Sequence, residues 1–562
     1  MDRTELGRKI PERILERQEV SPAALGLVLV LAFVAFAYVP FMGKAYTMDE
    51  PLFLAPALHI LKDPLHPLAF PFNWYGQTVP MSSINNTPPL FLYLLALALK
   101  CTGGRPFAMR LFFLPLDFLA ATSLFLLAGR FLKKPLVPVL VALASPGFLV
   151  GLNLLYPDKA ATAFGFFGLY AWIRGLDEES SGWTSAALGA LALALLAKYL
   201  AVVFLVPAAA YAAAGRRPLK KILLPAAALA PVGVYLVINL LHGGAAFSSA
   251  WRTTAQSLGA ASWARRWRAV LAGVGGCCAA GSLWPFCAGR PRWKAAAAAL
   301  SAAFLFFIPF WDAAGPAPAL LARATGIAMA FAALYGMARI LEQRTRDAGQ
   351  ILWLSWAGAV LLMEAFAYWS VMARVTALLV PPLIFAWAGL LERKLERKPL
   401  AALYALSLGA TLALSLSLAW VDSCYADAQR QAAQLAATLP AAGGRLWTTS
   451  HWGLQYYVEQ EGGRELDALR GGWSQARPGD AVVWSQVNSN QLTPDRRVLI
   501  DAKQIDWGNP LPLRLMSARS GEAGFYSSVF GFLPYALSRA PLDEFFFARI
   551  LPQKPPPRAR PH

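Results

Sequence analysis

Thirteen apolar runs separated by short polar junctions occupy most of the chain between Ser21 and Trp420. Runs of this kind leave few folding solutions. About 20 apolar residues in a helix cover the hydrocarbon core of a bilayer, and within lipid every backbone amide must find its partner inside the protein. The chain is therefore expected to be an all-α polytopic membrane protein. Composition agrees: of 562 residues, 57% are hydrophobic and 15% charged, and the mean hydropathy is +0.45. A formal charge of +19 would suit nucleic acid. Lys and Arg, however, fall in short clusters between the apolar runs, where cytoplasmic loops carry them, so membrane lipids and not nucleic acid are the expected partner.

The same charges set a topology. Arg8, Lys9, Arg13 and Arg17 place residues 1–21 in the cytoplasm, ahead of a first span over Ser21 to Phe41 that reads as a retained anchor. An outer loop over 42–107 follows, rich in Pro and carrying Trp74 and Tyr75. Pro88-Pro89 opens an apolar run of only about 14 residues before Gly103-Gly104, too short to cross, so this piece is expected to lie along the outer surface. Further spans are expected over 108–130, 135–154, 159–175, 183–197, 199–214, 219–241, 267–288, 294–311, 317–340, 350–369, 375–392 and 400–420, about thirteen crossings in all. Residues 22–420 then form the transmembrane domain. Residues 421–562 turn polar and are expected to form a small extracytoplasmic α/β domain, with strand-like pieces at 445–449, 481–486 and 497–500 and an unstructured end over 552–562.

On this topology the unusual charges gather on the outer face, and charges at membrane depth are costly and tend to be functional. Asp49 and Glu50 stand directly beyond the first span. Neighbouring carboxylates raise one another's pKa, which suits a general base, while Asp before Pro51 equally suits a helix N-cap. Asp158 lies in the junction Tyr156-Pro157-Asp158-Lys159, where a plain Pro-Asp turn is the competing reading. Arg110, Lys198, Arg323 and Arg374 sit at outer ends of spans against the charge bias, as a lipid-borne phosphate would require, although any one of them could simply reach a headgroup. His59 and His66, with Asp49, Glu50 and Asp63, are candidates for a divalent ion, but no ligand spacing among them is diagnostic. Asp117 and Glu364 lie within spans, where pairing with a cation is the default.

The order of these motifs resembles a known family. A first span followed by Asp49-Glu50, a long outer loop, Thr87-Pro88-Pro89-Leu90-Phe91, and then Phe107-Ala108-Met109-Arg110-Leu111 is similar to the dolichyl-phosphate-mannose protein mannosyltransferase-like glycosyltransferases of the GT-C superfamily. That superfamily includes the lipid A aminoarabinose transferase and, more distantly, the oligosaccharyltransferase catalytic subunit. Asp158, Lys198, Arg374 before Val380-Pro381-Pro382-Leu383, and the tail pieces Gly524-Phe525-Tyr526 and Phe532-Leu533-Pro534-Tyr535 extend the likeness. Asn85-Asn86-Thr87 departs from it, since many relatives carry His or Glu directly before Pro-Pro.

The resemblance implies a GT-C fold in a bacterial-type inner (plasma) membrane. It implies transfer of a hexosyl or pentosyl group from a polyprenyl-phosphate donor to a hydroxyl-bearing acceptor, a protein, lipid A or a cell-surface glycan, on the outer face with inversion. Asp49 is then the base or acceptor-positioning group, Asp158 supports it, and Lys198 and Arg374 lie near the lipid phosphate. No cofactor beyond the candidate divalent ion is implied. The rival reading is a transporter or flippase of an anionic, polyprenyl-linked substrate, which predicts charged residues through both halves of the membrane.

Overall fold

The structure is a computed structural model that describes residues 21–241, 263–288, 292–307, 316–342, 347–488, 492, 500–516 and 523–551. The expected cytoplasmic N-terminus and the Pro-rich end lie outside the described residues.

Helix α1, Pro22–Tyr38, starts where Ser21 accepts a hydrogen bond from the Ala24 amide at 3.2 Å and Pro22 presets the first turn. After the outer loop enters, α2 spans Glu50–Ile60, and a short hairpin pairs β1, Pro71–Asn73, with β2, Thr78–Pro80. Helix α3, Leu90–Thr102, stops at Gly103, whose left-handed φ of +65° only glycine adopts freely. Its 13 residues reach about 20 Å, short of a bilayer core, and it packs against α2. Next come α4, Pro106–Gly129, α5, Pro157–Asp177, and α6, Ser181–Ala197. Helices α5 and α6 pack along their length because glycines let them close: a Cβ on Gly175 would stand 2.8 Å from the Thr184 backbone.

Among the described residues, eight helices are long and apolar enough to cross a membrane: Pro22–Phe41, Pro106–Gly129, Leu219–Leu241, Arg265–Cys287, Leu320–Leu341, Ala348–Ala367, Ala373–Lys394 and Arg397–Ala437. The protein is thus a multi-pass helical membrane protein. The other expected spans fall short for particular reasons where the structure describes them, and residues 308–311 of the 294–311 span lie outside the described residues. The 135–154 stretch breaks at Ser145-Pro146, α5 is diluted by Asp158, Lys159, Arg174 and Asp177, and α6 is too short.

The end of the membrane part differs from expectation. Helix α7, Arg397–Ala437, runs for 41 residues without interruption, about 60 Å and twice the hydrocarbon thickness, so the boundary drawn at 421 falls inside it. Its last turns become part of the C-terminal domain. Ala428, Ala432, Ala433 and Ala436 pack with α8, Trp452–Gln460, under a sheet face made by Ala481, Val483, Phe545 and Phe547. That five-stranded mixed sheet is built from β3, Leu446–Thr448, β4, Arg464–Glu465, β5, Ala481–Ser485, β6, Ile500–Trp507, and β7, Asp543–Ile550. Its order is β4-β3-β5-β7-β6. The strands expected near 445 and 481 are present. The piece at 497–500 lies outside the described residues except for Ile500, which opens β6.

Candidate active site

The chain entering the outer loop is held by a buried ion pair. Glu50 and Arg110 both have fully buried side chains, and Arg110 Nη2 donates to both Glu50 oxygens at 2.8 and 2.9 Å. Glu50 also accepts from the amides of Thr47 and Leu155, both at 2.9 Å. Arg110 gives its remaining donors to the carbonyls of Asn153, Met42, Lys44 and, at 3.4 Å, Ala45. A buried charge pair is stable only when its other hydrogen-bonding capacity is met, as here. The result is a stitch between residues 42–50 and 153–155, the segments that precede Asp49 and Asp158.

This corrects two expectations. Glu50, read as catalytic beside Asp49, has both oxygens committed and no route to solvent. Arg110, read as a lipid-phosphate ligand, is equally enclosed. Arg323 is partly exposed on the helix Pro316–Leu341, and Arg374 and Lys198 are the cations that act on Asp49 and Asp158.

Asp49 occupies the N-cap position of α2, yet its side chain makes no capping bond. Its amide donates to Tyr156 Oη at 2.9 Å, and its side chain remains 30% exposed. Asp158, in the first turn of α5, accepts from Lys198 Nζ at 2.6 Å and lies 3.7 Å from Arg374 Nε. Arg374 Nη2 stands 3.9 Å from Asp49 Oδ2, and its guanidinium lies over the Tyr156 ring at 4.7 Å. Both separations exceed hydrogen-bond length. Arg374 Nε is buried without a hydrogen-bond partner, so its guanidinium keeps donors in hand. Lys198 is at the break after α6, with an extended backbone, and its ammonium also faces the Tyr368 ring at 5.5 Å. Asp49, Asp158, Lys198 and Arg374 are thus brought together from four separate segments.

Burial raises the Asp49 carboxyl above the usual carboxylate range, opposed by Arg374 and Lys198. A donor from the C-terminal domain, the Trp452 side chain, also acts on it. Trp452 has a left-handed φ of +65°, and Met48, directly before Asp49, has +49°. Bulky residues in that region store about 1–3 kcal/mol of strain each and concentrate at functional sites. Gly453 permits the approach, because a Cβ there would stand 2.5 Å from the Tyr46 carbonyl. Tyr457 Oη accepts from the Tyr46 amide at 2.8 Å, and Asp422 accepts from Lys44 and from Tyr526. Nothing in the sequence singled out Trp452, Tyr457 or Asp422, since each acts through contacts with residues several hundred positions away.

The divalent-ion candidates separate. His59 stacks on Phe70 at 4.6 Å, and His66 pairs with Asp63 on the surface. Among the described residues no three His, Cys, Asp or Glu side chains come together as a metal site, so these residues do not fit a bound ion. Asp117 pairs with Lys159, whose Nζ donates to both its oxygens at 2.6 and 2.7 Å. Glu364 accepts from the Met372 amide and from Thr376 Oγ1.

Residues 86–241 match the family model described as dolichyl-phosphate-mannose-protein mannosyltransferase. The match covers 156 of the chain's 562 residues. The matched stretch carries Asp158 and Lys198, while Asp49 and Arg374 lie on either side of it. No curated protein sequence matches the chain. Among solved structures it is similar to apo ArnT from Cupriavidus metallidurans, with 13% identity over 82% of this chain and 93% of that one and a TM-score of 0.45. For the same protein bound to undecaprenyl phosphate the values are 12%, 82%, 92% and 0.46. For the Archaeoglobus fulgidus oligosaccharyltransferase in complex with zinc and sulfate they are 15%, 78%, 62% and 0.44.

Proposed function

We propose that this protein is a GT-C-type membrane glycosyltransferase, moving a sugar from a polyprenyl-phosphate donor to an acceptor hydroxyl at the outer face of a cell membrane, with inversion at the anomeric carbon. The observation that carries the reading is the grouping of Asp49 and Asp158 with Lys198 and Arg374. Asp49 is the more exposed carboxylate, has no capping bond to break, and has its pKa raised toward the range where a base works best. It accepts the acceptor proton as the acceptor oxygen forms its bond to the anomeric carbon and the bond from that carbon to the phosphate oxygen breaks. The departing polyprenyl phosphate gains negative charge as it changes from diester to monoester. Lys198 and the uncommitted donors of Arg374 stabilise that charge. Asp158 holds the two cations in place, and Glu50 and Arg110 fix the loops that present both acids.

The outer-face orientation follows from the positive-inside assignment, with the outer domain on the side of the acceptor. The test is release of polyprenyl phosphate by the purified protein in liposomes, offered a panel of polyprenyl-phosphate hexoses and pentoses. Consumption of one donor supports the reading. Failure to consume any of them, by transfer or by hydrolysis, sinks it.

A further inference from the structure

The β1–β2 hairpin carries Trp74-Tyr75-Gly76-Gln77 at its tip, with Gly76 at φ +73° making the turn. Three hydrogen bonds to the outer domain clamp it. Gln455 Nε2 donates to the Asn73 carbonyl at 2.8 Å, Asn73 Nδ2 to the Leu466 carbonyl at 3.2 Å, and the Ala468 amide to the Gly76 carbonyl at 2.8 Å. Trp74 is buried beneath this clamp, whereas Tyr75 keeps 48% of its surface exposed. The Tyr75 ring meets His451 at 5.8 Å in an edge contact, and His451 in turn packs on Trp452 at 4.5 Å, the residue that reaches Asp49. Burial, and then the Asp49 charge, push the Tyr75 hydroxyl up to about 12. The charged group acting on Tyr75 is Asp49.

We propose that Tyr75 is the face on which the acceptor stacks beside Asp49, and that the acceptor hydroxyl is therefore carried by a sugar ring and not by a polypeptide. The inference rests on the reading of Asp49 as the base. A base must touch the acceptor hydroxyl, so the acceptor lies beside Asp49, and Tyr75 is the exposed ring that the His451 and Trp452 contacts tie to that acid. An aromatic face, electron-rich above its plane, attracts the polarised C–H face of a pyranose, and a serine or threonine side chain offers no such flat surface. The clamp from the outer domain makes the ring rigid before binding, which lowers the entropy lost on association. Through that clamp the outer domain holds the acceptor platform over the membrane-borne acid.

The experiment uses the full chain in liposomes with a polyprenyl-phosphate sugar it consumes, offering a free oligosaccharide and a Ser/Thr-containing peptide as acceptors. The wild type is expected to glycosylate the oligosaccharide. Tyr75→Ala should raise the acceptor KM about tenfold while the donor KM moves less than about twofold, and Tyr75→Phe should restore the acceptor KM. Gln455→Ala, which loosens the hairpin without touching its tip, should raise the acceptor KM in the same direction. Preference for the peptide, or an acceptor KM indifferent to Tyr75→Ala, overturns the proposal while leaving the transferase intact. Absence of any donor turnover in the wild type removes the transferase reading and this one with it.

Discussion

Lys198 Nζ lies 2.6 Å from Asp158 Oδ1, although 40 residues separate them in the chain. The contact spans the packed pair α5 and α6. It sets an ammonium at the same acid that Arg374 approaches from the opposite end of the sequence. Two cations on one carboxylate leave net positive charge beside Asp49, where a donor phosphate can be received.

Replacing Lys198 by Met is expected to lower kcat/KM for the polyprenyl-phosphate donor by about a hundredfold, the loss typical of removing one charge-stabilising donor from a reaction centre. The acceptor KM should change little. Steady-state kinetics with each substrate varied in turn will distinguish this from a general loss of fold, and an unchanged donor term would remove Lys198 from the phosphate site.

Arg110→Met should behave differently. The Glu50 charge would be left buried and unpaired, a change that costs about 3–5 kcal/mol. Thermal unfolding in detergent is expected to show a marked drop in Tm, with both substrates affected together because the two acid-bearing loops lose their common stitch. A variant with normal Tm and a defect confined to the donor would instead restore Arg110 as a phosphate ligand.

The outer domain carries its own pH dependence. Asp543 is buried and accepts hydrogen bonds from Ser485 Oγ and from the Val487 and Glu544 amides, yet burial dominates and pushes its carboxyl up to about 7. A folded-state pKa above the unfolded value means that the folded domain binds the extra proton. Its stability is therefore fully present below the ordinary carboxylate range and declines as pH rises toward about 7. Tm measured from the ordinary carboxylate range up to just above neutrality should fall across that window in the wild type. In Asp543→Asn the fall should be smaller, and equal slopes in the two proteins would contradict the assignment.

How much of this could be read from sequence depends on which physical signal each residue carries. Asp49 and Asp158 were legible because carboxylates at the ends of apolar runs are costly, and Lys198 and Arg374 because cations at expected outer ends stand out against the positive-inside bias. Glu50 was not separable from Asp49, since adjacent residues share every sequence-level signal. What distinguishes them is Arg110, 60 positions away, which takes Glu50 into the core. The change of composition near 421 marked where the apolar run ends, not where the helix ends, because α7 continues on Ala-rich turns that pack against a sheet and not against lipid. Strand β7, Asp543–Ile550, escaped notice because its run of three Phe places large apolar groups on both faces, erasing the alternation that marks a half-buried strand. The hairpin clamp and the Trp452 contact depend on pairings across several hundred residues, for which a single sequence holds no signal.

The most direct test of the account is sugar transfer by the purified, lipid-reconstituted protein, comparing the wild type with Asp49→Asn as a function of pH. The account predicts transfer in the wild type that declines as pH falls through a carboxyl pKa raised above the ordinary range, since the base must be ionised. It predicts a loss of about a hundredfold or more at all pH values in an Asp49→Asn protein of unchanged Tm. Full activity in that variant would contradict Asp49 as the base. Equal passage of a labelled polyprenyl-phosphate sugar across the bilayer by both proteins, with no donor consumed, would replace the transferase by a flippase.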